Sequence, residues 1–226
     1  DSTNVNITSV FGKRVASINT NSLDSSELEA AVRQSEIMAR LAPESPEYVP
    51  ELGVQSYQPV QAYYDSTGEL DPLPRAEAAA IAIQQAQASD QIAASYMDVQ
   101  AGTSTVATSN GLYGSHSNTG VAYTLTSRTV DGLQSGWAGD EANDWNNIES
   151  QRIANDAVRK CASWRKTRLD PGKYTAILEP TAVGMLMLRM RNAFNQRTAD
   201  EGRSYFSKPG GGNRIGEQLF DDRVNI

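Results

Sequence analysis

The sequence predicts an α+β fold, with antiparallel sheets, helices packed on one side of them, and two sub-domains joined near residue 168. Three observations carry this reading. Residues 92 to 137 read as a meander of three to five antiparallel strands separated by turn signals. Capped, periodic helices stand before and after that run. A turn, a short strand and a helix then follow in Pro171 to Arg191 and open a second unit.

The elements are predicted in chain order. Val5, Ile7, Ser9 and Phe11 alternate, Gly12-Lys13-Arg14 follows, and Val15 to Thr20 completes a hairpin. Asp24-Ser25-Ser26-Glu27 matches a capping box. The helix it opens runs to about Ala42 on a stripe of Leu28, Val32, Ser35 and Met38/Ala39, and Pro43, Pro46 and Pro50 stop it. Residues 43 to 72 hold five prolines and many polar residues and read as a surface connector. An alanine-rich helix is expected from about Arg75 to Ala88, its small residues suited to close packing on a sheet.

Strands are expected over Ile92 to Ala101, Thr103 to Ser109, Val121 to Val130 and Leu133 to Trp137. A glycine separates the first two, and Asn110-Gly111 and Asp131-Gly132 are turn signals. Asn146-Asn147-Ile148-Glu149 caps a helix to about Lys166 with Ile153, Ala157, Cys161 and Trp164 on its stripe. A strand over Tyr174 to Leu178 leads to a helix from Thr181 to about Gln196. That helix is expected to bury Val183, Leu186, Met187, Met190 and Phe194. Pro209 to Gly212 reads as a flexible break, and Leu219 to Ile226 as the start of a strand cut short.

Composition bounds the function. Hydrophobic content is 39%, which implies long polar loops or missing structure. A net charge of -7 argues against a sequence-independent nucleic-acid binder. No apolar run is long enough to span a membrane, and no signal-peptide pattern opens at Asp1. One cysteine excludes an internal disulfide and fits a reducing compartment, so a cytoplasmic location is expected.

The informative stretch is Pro180-Thr181-Ala182-Val183-Gly184-Met185, at a predicted strand-to-helix junction. The chain resembles the TldD/PmbA (TldE) family, the modulators of DNA gyrase, which are metallopeptidase-related. Catalytic TldD-type members carry HExxxH at this junction, often as HEAVGH. Here Pro180 replaces the first histidine, Thr181 the glutamate and Met185 the second histidine, while Ala-Val-Gly is retained. The chemistry of that loss follows from the side chains. Two imidazoles on one helical face hold zinc, and a carboxylate beside them polarises a bound water. Proline has no donor electrons, threonine is a poor general base, and a thioether suits copper(I) better than zinc. The chain holds one histidine, His116, so a His-Glu-His site cannot be assembled within it. No catalytic residue and no metal ligand is therefore assigned.

The resemblance covers nearly the whole chain. Ser109 to Leu112, Glu201 to Phe206 and Ile215 to Ile226 add weak motifs in the right order. It implies residues 1–42 as the end of an N-terminal α/β domain, 43–72 as a connector, 73–167 as a central α+β domain, and 168–226 as the start of a C-terminal domain. The β-rich remainder of that last domain is expected to be truncated. It also implies a homodimer, or a heterodimer with a TldD-like subunit, around a cavity for peptide substrates. Zinc is expected only in an HExxxH-bearing partner, with no nucleic acid and no membrane. The function expected is a non-catalytic TldE/PmbA-like subunit of a protease of unfolded or leader peptides. The alternatives are a metallopeptidase using ligands from a partner or the missing region, and a structural dimer without proteolytic role. A strand edge between residues 92 and 130 is a candidate for pairing with peptide.

Other features have plainer readings. His116 reads as a surface loop residue, Cys161 as a buried structural thiol, and Gly210-Gly211-Gly212 as a hinge. Met185, Met187 and Met190 read as core, Arg189, Arg191 and Arg197 as a solvated face, and Asp140, Glu141 and Asp144 as solvated loop acids.

Overall fold

The computed structural model describes residues 2–163, 165 and 168–224. It divides into two compact units, Asp1–Lys166 and Thr167–Ile226. The chain is α+β, with antiparallel sheets of two and three strands.

The first unit opens with β1 (Val5–Phe11) and β2 (Arg14–Thr20), paired from Val5↔Thr20 to Phe11↔Arg14. Helix α1 (Ser25–Leu41) begins where predicted, because the Asp24 carboxylate accepts from the Ser26 and Glu27 amides. Its buried stripe differs from the predicted one. Ala31, Ser35 and Ala39 are buried, while Val32 and Met38 are exposed. Small residues let the helix lie close on the hairpin, where the Ser35 and Ser9 hydroxyls share a hydrogen bond. The larger side chains flank that contact.

Most of residues 43–72 is exposed, with an exception at α2 (Asp65–Gly68), where Thr67 is buried. Helix α3 (Pro72–Gln87) starts before Arg75, since proline is tolerated in a first helical turn. It buries Ala78, Ala82 and Ala86.

The three-stranded sheet runs β3 (Gln91–Ala107), β4 (Tyr113–Thr129), β5 (Ser135–Ala142), with β4 central. Gly102 does not divide β3 in two. It pairs with Asn118 inside an unbroken register, since a lone glycine weakens a strand without forcing a turn. Strand β4 begins eight residues before the predicted Val121. Residues 113–120 lack apolar alternation, so the period-2 signal is silent there. The turns at Gly111 and Gly132 form as predicted, both with positive φ.

Helix α4 (Ser150–Ser163) follows a short turn that Asp144 caps. Its Ile153, Ala157 and Cys161 are buried as expected, together with Ala154. Trp164 and Lys166 lie outside the described residues. Helices α3 and α4 cover one face of the sheet. Ala78, Ala82, Ile153, Ala154 and Ala157 meet Val121, Tyr123, Leu125 and Ala138 there. The Tyr123 hydroxyl, raised in pKa by burial, donates to the Ala78 carbonyl at 3.1 Å.

The second unit departs further from expectation. Residues 174–178 form no strand, and Ile177 is 96% exposed. A strand needs a ladder partner, and among the described residues this segment has none. The predicted long helix is three pieces: α5 (Pro180–Arg191), one tight turn over Asn192–Phe194, and α6 (Gln196–Asp200). The break occurs where Asn195 caps α6 by accepting from the Thr198 amide at 3.1 Å. None of α5 is fully buried: Val183 and Leu186 are exposed, and Met187 and Met190 are partly covered. Phe194 instead stacks on Phe206 with ring centroids 5.0 Å apart. The glycines at 210–212, all with positive φ, form a turn closed by Lys208 N–H to Gly212 O at 2.9 Å. Residues 219–224 form no strand, and 225–226 lie outside the described residues. Among the described residues, no helix is long and apolar enough to cross a membrane.

Candidate functional site

The first candidate is the start of α5. Pro180 occupies the first helical position, where its missing N–H is harmless. Pro180, Thr181 and Met185 are all exposed. Proline offers no donor, threonine a neutral hydroxyl, and methionine a soft thioether. This donor set does not fit zinc, which takes imidazole, thiolate or carboxylate. Among the described residues, no group of three or more His, Cys, Asp or Glu side chains stands where an ion could be held. His116, expected in a loop, lies in β4 opposite Ser104.

The second candidate lies in the first unit, where β3 and β4 outrun the rest of the sheet. The last pairing of β4 with β5 is Val121↔Ala142. Beyond it, β3 and β4 continue as a two-stranded arm to the turn at Gly111. On one face of the arm the hydroxyls of Thr103 and Ser117 lie 2.7 Å apart, and those of Thr105 and Ser115 3.0 Å. Val106, Gly114 and His116 alternate to the other face. The Tyr57 ring comes so close to Gly114 that a Cβ there would lie 3.2 Å from it.

Tyr57 belongs to a strap, residues 51–64, fastened at both ends. At the arm's tip Gly53 bridges Gly111, and the Asn110 side chain donates to the Glu51 carbonyl at 3.0 Å. At the base the Thr119 amide donates to the Ala62 carbonyl at 2.9 Å, and the Tyr64 amide donates to the Thr119 hydroxyl at 3.1 Å. The base is a buried polar hub. Thr119 and Thr67 hydroxyls both donate to the Asn143 carbonyl, at 2.8 and 2.9 Å, and the Asn143 amide returns a bond to Thr119 O. The Ser66 hydroxyl donates to Asp144 and holds that carboxyl below its ordinary pKa, helped by the Asn146 amide. Strap and arm enclose an open cleft of about 810 Å³. Sequence reasoning placed residues 51–64 in a plain connector. The only available signal was the run Tyr57, Pro59, Val60, Tyr63, Tyr64, apolar for an exposed linker.

The remaining sequence candidates are scattered. Cys161 is buried, its thiol 3.6 Å from the Gln134 carbonyl. Asp140 and Glu141 lie in β5 rather than a loop, Asp140 pairing with Arg152. Met185 is exposed rather than core. Arg189 and Arg191 are exposed, as is Arg197, which pairs with Glu201 at 3.0 Å.

Comparison with known proteins follows the same division. Residues 60–162 match the PmbA/TldA metallopeptidase central domain, and residues 171–226 the PmbA/TldA metallopeptidase C-terminal domain. Solved structures that share the fold include the following three. A protein from Bacteroides thetaiotaomicron named a modulator of DNA gyrase is 20% identical, with a TM-score of 0.72 over 89% of this chain and 48% of its own. One of the same description from Thermotoga maritima is 14% identical, with a TM-score of 0.63 over 74% of this chain and 39% of its own. TldE from Thermococcus kodakarensis is 18% identical, with a TM-score of 0.61 over 69% of this chain and 36% of its own. No curated protein matches the sequence. The architecture is thus that of a metallopeptidase-related scaffold. The chain belongs to the PmbA/TldD family, and it spans less than half the length of these solved relatives.

Proposed function

We propose that this chain is part of a non-catalytic, TldE/PmbA-like member of its family. It would act as the zinc-free half of a two-subunit peptide-processing particle in the cytoplasm. The observation that supports this is the side-chain set at the start of α5, where Pro180, Thr181 and Met185 stand in the three motif positions. In this reading zinc and its water belong to an HExxxH-bearing partner, and this subunit contributes wall and peptide-holding surface.

Two measurements test it. Elemental analysis of the dialysed full-length protein should give far less than one zinc per chain. Light scattering of that protein, mixed with an HExxxH-bearing family member from the same genome, should give a defined two-subunit particle. About one zinc per chain, lost on chelation together with peptidase activity, would instead establish a metallopeptidase with ligands from elsewhere. A protein that stays monomeric alone and in the mixture would rule out the shared particle.

A further inference from the structure

The buried side chains of the second unit gather around a cavity. Ala199 and Phe206, its buried positions among the described residues, line a space of about 250 Å³ together with Phe194, Ile215, Leu219 and Phe220. Three phenyl rings thus border it, two of them stacked with Phe194 and Phe206 centroids 5.0 Å apart. An apolar cavity of about 150 Å³ takes one benzene molecule. The one in the second unit therefore has room for a single ring and a chain of a few atoms.

A cation stands at this apolar wall. Arg214 lines the same cavity and is half-buried. The backbone fixes its place: the Arg214 amide donates to the Phe206 carbonyl at 3.0 Å, and Ser207 bridges Asn213. Its guanidinium lies over the Tyr205 ring, 5.8 Å from the centroid, a contact that favours the cation without neutralising it. The neighbouring carboxylates are already engaged. Glu217, also at the cavity, pairs with Lys208 at 2.9 Å. Glu201 pairs with Arg197 and Arg203, and Asp200 accepts from the Asn213 side chain at 2.6 Å. Among the described residues, the Arg214 side chain makes no ion pair and no hydrogen bond. A partly desolvated guanidinium beside an apolar wall is best satisfied by an anion that carries its own apolar body.

Main-chain recognition has little to work with at this place. The amides of Ala199, Phe206, Arg214, Ile215 and Glu217 already donate to Asn195 O, Ser204 Oγ, Phe206 O, Asn213 Oδ1 and Arg214 O. A ligand is therefore read by its ring and its charge, which suits a free small molecule better than the end of a peptide chain.

We propose that this cavity binds a small aryl carboxylate, its ring among Phe194, Phe206 and Phe220 and its carboxylate on the Arg214 fork. The site goes beyond the peptide-processing reading and needs neither zinc nor a partner.

The probe is para-fluorinated phenylpropanoate, followed by fluorine NMR with the full-length protein. It should bind saturably. The matching primary amide keeps the ring and loses the charge, and it should bind about tenfold more weakly, as expected for one charge-assisted hydrogen bond. Hexanoate keeps the carboxylate without the ring, and it should displace the probe several-fold less well than unlabelled phenylpropanoate. Arg214→Gln should weaken the acid about tenfold and leave the amide unchanged, so that the variant no longer tells them apart. A merely structural role for Arg214 would weaken both alike. Ala199→Leu adds bulk at the cavity wall and should remove binding of both. Should that variant fold poorly, Arg214→Gln with the acid and amide carries the test.

Equal binding of acid and amide by the parent overturns the proposal, as does discrimination that survives Arg214→Gln. Absence of saturable binding also overturns it, and means that other parts of the full-length protein fill the cavity. A short peptide ending in phenylalanine that binds more than about tenfold tighter than the free acid overturns the choice of occupant in favour of a chain end.

Discussion

At Gly136 the larger unit has no room for another carbon. A Cβ there would lie 2.2 Å from the Ala157 carbonyl oxygen and 2.3 Å from the Cys161 amide nitrogen. These are backbone atoms of α4, which cannot yield as a side chain does, so the glycine sets how closely α4 lies on β5. Gly136→Ala should lower stability by about 3 kcal/mol, at the upper end for overpacking a core. Chemical denaturation checks this, and a shift under about 0.5 kcal/mol would mean α4 moves freely. Asp144 makes the contrasting case of a half-buried residue with a defined role. Hydrogen bonding to Ser66 lowers its folded pKa. A lowered pKa favours the folded state above the unfolded value and loses that advantage as pH falls through the folded value. Asp144→Asn should therefore be less stable than the parent near neutrality. The difference should shrink as pH falls below the ordinary aspartate value and vanish once pH lies below the lowered folded value, where the Asp144 carboxyl is protonated. Denaturation midpoints taken across that range decide it.

Among elements, the strap and β4 show where sequence reading stops. The β4 half from Val121 to Ser127 packs against α3 and α4, and its alternation was plain. The half from Tyr113 to Asn118 is held by pairing with β3 alone, and its Ser, Gly, His and Asn residues carry no period. The strap depends on Thr119, a fully buried side chain that donates to Asn143 O and receives from Tyr64 N–H. Thr119→Val keeps the shape and removes the hydroxyl. It should cost about 1–3 kcal/mol, because buried groups then lose partners. It should also speed amide exchange at Tyr64 well beyond any effect on α4. Unchanged exchange at Tyr64 would show that the Ala62 bond alone secures the strap.

For the whole molecule, burial is uneven. The first unit holds the continuous core around Tyr123, Leu125 and Ile153. In the second, the buried positions among the described residues are Ala199 and Phe206, and α5 is never fully buried. Protection against exchange rises with buried contact. Amides of β4 and α4 should thus be the slowest in this chain and those of α5 faster by about two orders of magnitude or more. Hydrogen exchange of the 226-residue chain tests the contrast. Comparable protection in α5 and β4 would mean that the apolar side chains of α5 are covered in solution.

The sequence by itself determined the family, the α+β class, the first hairpin, the α1 cap, the turns at Gly111 and Gly132 and the buried stripe of α4. Each is local chemistry: a carboxylate two or three residues from an amide, a glycine where φ must be positive, an apolar residue every turn of helix. It also determined that Pro180, Thr181 and Met185 cannot present a zinc donor set, since ligand chemistry belongs to the side chain wherever it lies. Only the tertiary structure decided which expected strands exist, because a strand requires a partner at a distant position. Tyr174 to Leu178 has the composition but no ladder, while residues 113–118 have the ladder without the pattern. The cleft was decided the same way: Gly53 meets Gly111 and Ala62 meets Thr119 across more than fifty residues of chain, and no local period records such contacts.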